Sequence, residues 1–157
     1  MDPIACYKQL ERYARPRMLA NLDQLKLEEF TSPLQFLAGR SPRDVVAHTM
    51  ETEIFWIHCA LQGKPMIKFR EYEQYAAVDT VRRRWAEVAA ETKEYLRSLT
   101  PEDIDAEKSV DIGGSNVVQF PLWQIIYHVI THEFHHKGQL MSAVRDLGYE
   151  PSETDFI

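Results

Sequence analysis

Four of the six histidines in this chain fall between positions 128 and 136. Three of them, His128, His132 and His136, recur every fourth residue inside HVITHEFHHKGQ, whose other residues keep the apolar period of an amphipathic helix. Residues four apart on a helix share one face, so imidazoles stand where a core would place aliphatic side chains. An H-x-x-x-H pair on a helix is a two-nitrogen clamp for a transition metal. The stripe cannot serve one ion as a whole, because His128 and His136 are two turns apart, about 12 Å along the axis. His128 with His132 and His132 with His136 are equally good pairs, and spacing does not choose between them. His135 points about a quarter-turn away from His136, toward a neighbouring helix or the surface.

A two-nitrogen clamp is weak, so a third protein ligand should come from another helix. His48 is the candidate, because it interrupts the apolar stripe of an earlier helix, whereas His58 falls off that stripe. Three imidazoles with one open position describe a catalytic-type site that lowers the pKa of a bound water; closed structural sites take four ligands and favour thiolates. Cys59 cannot supply the fourth, since it lies about 16 Å further along the helix of His48. A lone histidine on an apolar face is more often a hydrogen-bonded core residue. Imidazoles on two inward faces shift the balance toward a shared ion, because burying each of them unpartnered costs desolvation. Gln139, one turn below His136, could hydrogen-bond a ligand or the bound group, and Glu51, one turn from His48, could orient His48 or take a proton.

The elements that must position these residues are helical. Tyr7, Leu10, Ala14, Met18, Leu22 and Leu25 keep helical spacing from about Pro3 to Leu25, with a kink expected at Pro16, which lacks a backbone donor. A loop through Thr31, Ser32, Pro33 and Gly39 leads to Ser41-Pro42-Arg43-Asp44, a strong helix start. The second helix carries Val45, His48, Thr49, Thr52, Phe55, Trp56 and Cys59 inward and ends near Gly63-Lys64-Pro65. Residues 66–77 lack a clean period and read as a connection with at most a short helical turn. A third helix starts near Asp79 with the stripe Val81, Trp85, Val88, Ala89, Thr92, Tyr95, Leu96 and Leu99. Two valine-rich arms around Gly113-Gly114 are compatible with a short β-hairpin before the last helix. That helix runs from about Pro121 to Leu147, where Gly148 stops it. Trp56, Trp123, Tyr127 and Phe134 read as bundle core, and Gly138 as a point of close helix approach. Four amphipathic helices without a convincing sheet make an all-α four-helix bundle, in which metal sites form on the axis.

Composition narrows the function classes. At 157 residues, with 45% of them hydrophobic, the expectation is one domain, residues 1–157, around one core. A formal charge of -6 argues against nucleic acid or an anionic membrane surface as partner, and Arg82-Arg83-Arg84, set among acidic residues, reads as a solvated helix face. The two cysteines, Cys6 and Cys59, form no disulfide framework, which points to free, buried thiols in a reducing compartment. With no secretory leader pattern and no membrane-length apolar run, a soluble cytoplasmic protein is expected.

The chain resembles the DinB-like superfamily, the damage-inducible, YfiT-type four-helix bundle proteins of bacteria. The match is carried by DVVAHTMETEIFW around His48, by HVITHEFHHKGQL and by the closing LGYEPSETDF, and it spans essentially the whole chain. The second segment is the most specific, since H-x-x-x-H followed by a basic residue, Gly and Gln is close to the family signature. The resemblance implies an up-down-down-up bundle with a divalent metal ion, commonly zinc or nickel, on His48, His132 and His136. It makes His128 a neighbour at the pocket mouth. Lys137 stands on an outward face where arginine is frequent, and Pro16 is an unusual residue that would distort the rim of the site.

Relatives with assigned activities include thiol-dependent transferases and isomerases that use low-molecular-weight thiols. The leading reading is therefore a metal-dependent enzyme of the thiol S-transferase or hydrolase type acting on a small molecule, with Glu51 or Gln139 orienting the bound group. With no cysteine near the expected metal, any thiol arrives with the substrate. The alternative is a non-catalytic metal-binding stress-response or interaction protein. A metal-free hydrogen-bonded histidine network ranks last. Relatives often dimerise, so a homodimer is expected.

Overall fold

The first rod begins where Asp2 accepts a hydrogen bond from the Ile4 amide at 2.9 Å and Pro3 occupies the first turn, which needs no donor. In the computed structural model, which describes residues 2–112 and 116–154, this rod runs through three segments. They are α1 (Pro3–Gln9), a π-helical stretch (Leu10–Ala14) and α2 (Arg15–Leu22). The π stretch is the local answer to Pro16. The Arg15 amide donates to the Leu10 carbonyl five residues back, which widens the turn just before the proline ring and restarts the helix with Pro16 in its first turn. The rod ends at Leu22, short of the expected Leu25, which is nonetheless buried.

The following loop holds more structure than its composition suggests. A short α3 (Leu27–Thr31) is capped by Glu29, whose carboxylate accepts the Lys26 amide at 2.8 Å, and it buries Phe30. A 3-10 turn (Gln35–Leu37) then leads to the second rod. Ser41 and Asp44 form a capping box with both bonds at 3.1 Å, as the start signal predicts, and α4 (Pro42–Glu53) continues as a π-helical stretch (Ile54–Leu61). Residues 66–77 contain only a 3-10 turn at Tyr72–Gln74. The third rod, α5 (Val78–Ser98), buries Val81, Trp85, Val88, Ala89, Thr92 and Leu96. After a short α6 (Pro101–Asp105), β1 (Glu107–Asp111) pairs antiparallel with β2 (Val117–Pro121), Ser109 opposite Gln119. The Gly113-Gly114 turn lies outside the described residues. The fourth rod, α7 (Leu122–Asp146), ends at Gly148, whose φ of 92° is the left-handed conformation glycine tolerates. The result is an all-α four-helix bundle with a small hairpin before its last helix, and α7 packs against α1, α2 and α4.

The interior is divided. One apolar cluster contains Met18, Leu22, Met50, Trp85, Val88 and Leu140; the other contains Tyr7, Leu10, Ile57, Leu96, Ile126 and Ile130. Between them each rod contributes a polar residue: Arg15, Glu53, Thr92 and Glu133, all buried. Arg15 Nη2 donates to Glu53 at 2.9 Å and to Glu133 at 2.7 Å, while Glu53 also accepts from Trp85 Nε1 (2.9 Å), Thr92 Oγ1 (2.7 Å) and the Tyr7 hydroxyl. This layer was not read from the sequence. Its signal is a charged side chain at a position of core spacing, Glu53 between Met50 and Ile57 and Glu133 between Ile130 and Leu140.

Several side chains depart from expectation. His58 is buried, not off the inner face, and its Nε2 lies 2.9 Å from Thr92 Oγ1, because the second rod is enclosed on more than one side where it turns π-helical. Lys137 is buried as well: its ammonium donates to the Thr154 carbonyl at 3.3 Å and sits 4.5 Å from the Phe134 ring, under a C-terminal segment that Asn21 anchors through the Ser152 amide at 2.8 Å. Trp123 is exposed rather than core. A Cβ on Gly138 would meet open space, so no close helix approach requires this glycine. Both cysteines are free, Cys59 buried and Cys6 only partly so. The arginine run is a solvated face, with Arg82 paired to Asp23 and Asp79 and Arg84 to Glu87 at 2.9 Å. No described helix is long and apolar enough to cross a membrane.

Candidate metal centre

His48 projects from the middle of α4, and His132 and His136 project one turn apart from α7, the rod that packs against it. One nitrogen from each of the three lies within 4.8 Å of the other two. The His132 and His136 rings are 4.4 Å apart, and the His48 ring lies 5.0 Å and 5.1 Å from them, all edge to face. His128 stands outside this group: its exposed ring is 5.8 Å from His132 and 5.1 Å from Trp56. The geometry thus separates the two pairs that spacing left equivalent. His135 is exposed and also outside the group. Neither cysteine belongs to it, and Cys59 Sγ instead faces the Pro65 carbonyl at 3.5 Å.

The electrostatics keep the three imidazoles neutral. Burial, reinforced by the neighbouring imidazoles, pushes His132 down to about 3. Burial, with His136, Arg40 and Arg70, pushes His48 down to about 4. His136 is lowered by burial too, against the pull of the hydrogen bond it donates to Gln139. Gln139 Oε1 lies 2.8 Å from His136 Nδ1 and can only accept there, which fixes the proton on Nδ1 and leaves the Nε2 lone pair free. The Gln139 amide reaches on to His135 Nε2 at 3.3 Å.

The donor set fits a divalent ion. His132 Nε2 and His136 Nε2 are 3.2 Å apart. Tetrahedral zinc with Zn–N bonds of 2.0–2.1 Å sets its ligand nitrogens about 3.3 Å apart. With its proton held on Nδ1, His136 accepts at Nε2 from His132 in this contact, and a divalent ion bound between the two nitrogens would take the place of that proton. Thr52, which donates to the His48 carbonyl at 2.9 Å, approaches His132 Nε2 at 3.5 Å and completes the wall. His132 Nδ1 is buried without a hydrogen-bond partner among the described residues, so His136 alone of the α7 pair has a side chain orienting its far nitrogen.

Beside His48 a cavity of about 300 Å³ opens, lined by Glu51, Thr52, Phe55, Trp56, Met66, Phe69 and Arg70. Glu51 is buried, and its Oε2 accepts the Arg70 backbone amide at 3.0 Å while Oε1 has no partner among the described residues. Burial raises its pKa, opposed by the hydrogen bond and charge of Arg70. Pro16 lies elsewhere, against a cavity between the first and third rods with Trp85 and Ala89, and does not shape this rim.

Comparison with known proteins agrees with this architecture. A family model described as the DinB family matches residues 4–157. The chain belongs to the DinB family. A curated relative, the uncharacterized protein YizA of Bacillus subtilis (strain 168), is 29% identical over 110 residues, which is 70% of this chain and 67% of that protein. The crystal structure of a DinB-like protein from Bacillus cereus ATCC 10987 superposes with a TM-score of 0.70 at 20% identity, covering 94% of each chain, a likeness that speaks for the DinB fold alone.

Proposed function

We propose that His48, His132 and His136 hold a divalent metal ion, zinc or nickel, in a metal-dependent enzyme of the thiol S-transferase or hydrolase type. The observation that carries this reading is the convergence of three neutral imidazole nitrogens within 4.8 Å beside a lined cavity. When bound, the ion supplies a Lewis-acid centre that lowers the pKa of a coordinated thiol or water. The chain does the rest. Gln139 holds His136 in the tautomer that exposes Nε2, and Glu51 orients the group seated over His48 and fixes the backbone of Arg70. No described cysteine lies in the histidine group, so the thiol of a transferase reaction would enter with the substrate. The cavity on the His48 side favours turnover over a non-catalytic metal-binding role, which needs no such opening.

Metal analysis of protein purified without a histidine tag tests the centre. About one divalent ion per chain is expected, lost in His132→Ala; sub-stoichiometric metal that does not fall in the variant would sink the proposal. Consumption of glutathione with a panel of alkyl and aryl halides tests the transferase branch, and no turnover with any common thiol leaves only the hydrolase branch.

A further inference from the structure

We infer that the cavity over His48 selects a small organic acid with a flat apolar body, its carboxylate paired with the Arg70 guanidinium and its body lying among Phe55, Trp56 and Phe69. The inference rests on the metal reading of the neighbouring histidines and adds what that reading leaves open, the class of molecule brought to them.

Two features of the walls carry it. Four of the lining side chains, Phe55, Trp56, Met66 and Phe69, are apolar, and the aromatic rings meet edge to face: Phe55 with Trp56 at 5.2 Å and with Phe69 at 6.0 Å. A planar body entering this space gains both burial and ring contacts. At about 300 Å³ the cavity suits a molecule of one ring and a short chain, not a macromolecular segment. The polar feature is Arg70. It lines the same cavity, and among the described residues no ion pair or side-chain hydrogen bond engages its guanidinium, whereas Arg15, Arg43, Arg82 and Arg84 each pair with a carboxylate. A planar fork of N–H donors beside an apolar slot recognises a carboxylate in two-point fashion.

The backbone at this point is built rather than incidental. Arg70 adopts φ 69°, a left-handed conformation uncommon for a residue with a Cβ, and its amide is held by the buried Glu51 carboxylate at 3.0 Å. Glu51 springs from α4 one turn from His48, so the element that presents the histidine also fixes the residue that would seat the acid. Because Glu51 spends its Oε2 on this amide, its charge is directed at the strap carrying Arg70.

The test is calorimetric titration of 3-phenylpropanoate, its neutral analogue 3-phenylpropanamide and propanoate into the full chain, both zinc-loaded and metal-free. The phenyl acid should bind most tightly. Arg70→Gln should weaken it by about tenfold or more while leaving the amide unchanged, the loss expected for one charge-assisted pair. Arg70 is exposed, so this variant should keep the fold. Phe69→Ala should weaken acid and amide alike. The inference is overturned if the amide binds as well as the acid, if Arg70→Gln leaves the acid's affinity unchanged, or if binding needs zinc but not Arg70. Zinc content, measured on the same samples, separates the two readings: Arg70-dependent binding without zinc retention sinks the metal centre alone, and stoichiometric zinc without acid binding sinks this inference alone.

Discussion

His132 Nε2 and His136 Nε2 face each other at 3.2 Å across one turn of α7, and their rings, 4.4 Å apart, are closer to each other than to the rings of His128 (5.8 Å from His132) and His135 (4.9 Å from His136) in the same helix. The pair is held there by the fold, since its helix packs on α4 and His48 closes the third corner. Removing either partner should therefore lower zinc affinity by about a hundredfold or more, because two nitrogens of different helices no longer form a clamp. His128→Ala should leave affinity unchanged. Competition with a chromogenic chelator reads all three variants, and equal losses in His128→Ala and His136→Ala would contradict the assignment.

Gln139 is the test of how the far side of His136 is tuned. Its Oε1 accepts from His136 Nδ1 at 2.8 Å and so sets the tautomer. Gln139→Leu keeps the volume but removes the acceptor, and zinc affinity should fall by about 10–100-fold, the usual effect of losing an outer hydrogen bond to a ligand. Gln139→Glu, which keeps the acceptor, should retain or raise affinity. If Leu and Glu variants bind zinc equally, the hydrogen bond does not tune the ligand.

The buried layer makes a different prediction. Arg15 is bound to Glu53 and Glu133, the latter located between the two α7 histidines in sequence. Arg15→Met would strand two carboxylates away from water, which costs about 3–5 kcal/mol when one partner of a buried pair is removed. Burial raises Glu133 in spite of Arg15, so it should take up a proton in the variant and recover part of the loss. Urea unfolding should show the variant's midpoint well below wild type, and combining it with Glu133→Gln should restore part of the difference. A wild-type midpoint for Arg15→Met would mean the layer adds specificity of packing, not stability.

What the sequence made legible follows from what periodicity reports. Caps and stripes located the long rods, because Ser41-Pro42-Arg43-Asp44 and the Val81-to-Leu96 stripe are local signals that tertiary contacts did not overrule. The histidines were visible because imidazoles are conspicuous on an apolar face. Choosing between His128 and His136 was not possible from spacing, since it depends on where α4 crosses α7. Arg15, Glu53 and Glu133 escaped notice for a related reason: charged residues at inner positions look like solvated ones until three of them are seen to satisfy one another. The burial of Lys137 depends on a C-terminal segment folding back to Asn21, a contact of high sequence separation that no local pattern records.

His58 carries the pH dependence of this interior away from the candidate centre. Its Nε2 lies 2.9 Å from Thr92 Oγ1, and that hydroxyl already donates to Glu53, so the imidazole must donate to Thr92. Burial holds its pKa below the ordinary 6.5, although Glu53 and Glu91 pull the other way. In the unfolded chain the ring takes up a proton near its ordinary value, whereas the folded protein binds it only at lower pH. Between those points the unfolded state holds more protons, so the contribution of His58 is full above about pH 6.5 and declines as pH falls through that value. His58→Gln keeps a side-chain donor for Thr92 and does not titrate. Its urea midpoint should therefore drop less than wild type between about pH 7.5 and 5, the other histidines contributing equally to both proteins. Parallel declines would show that His58 is protonated alike in both states and that its burial is relieved on acidification.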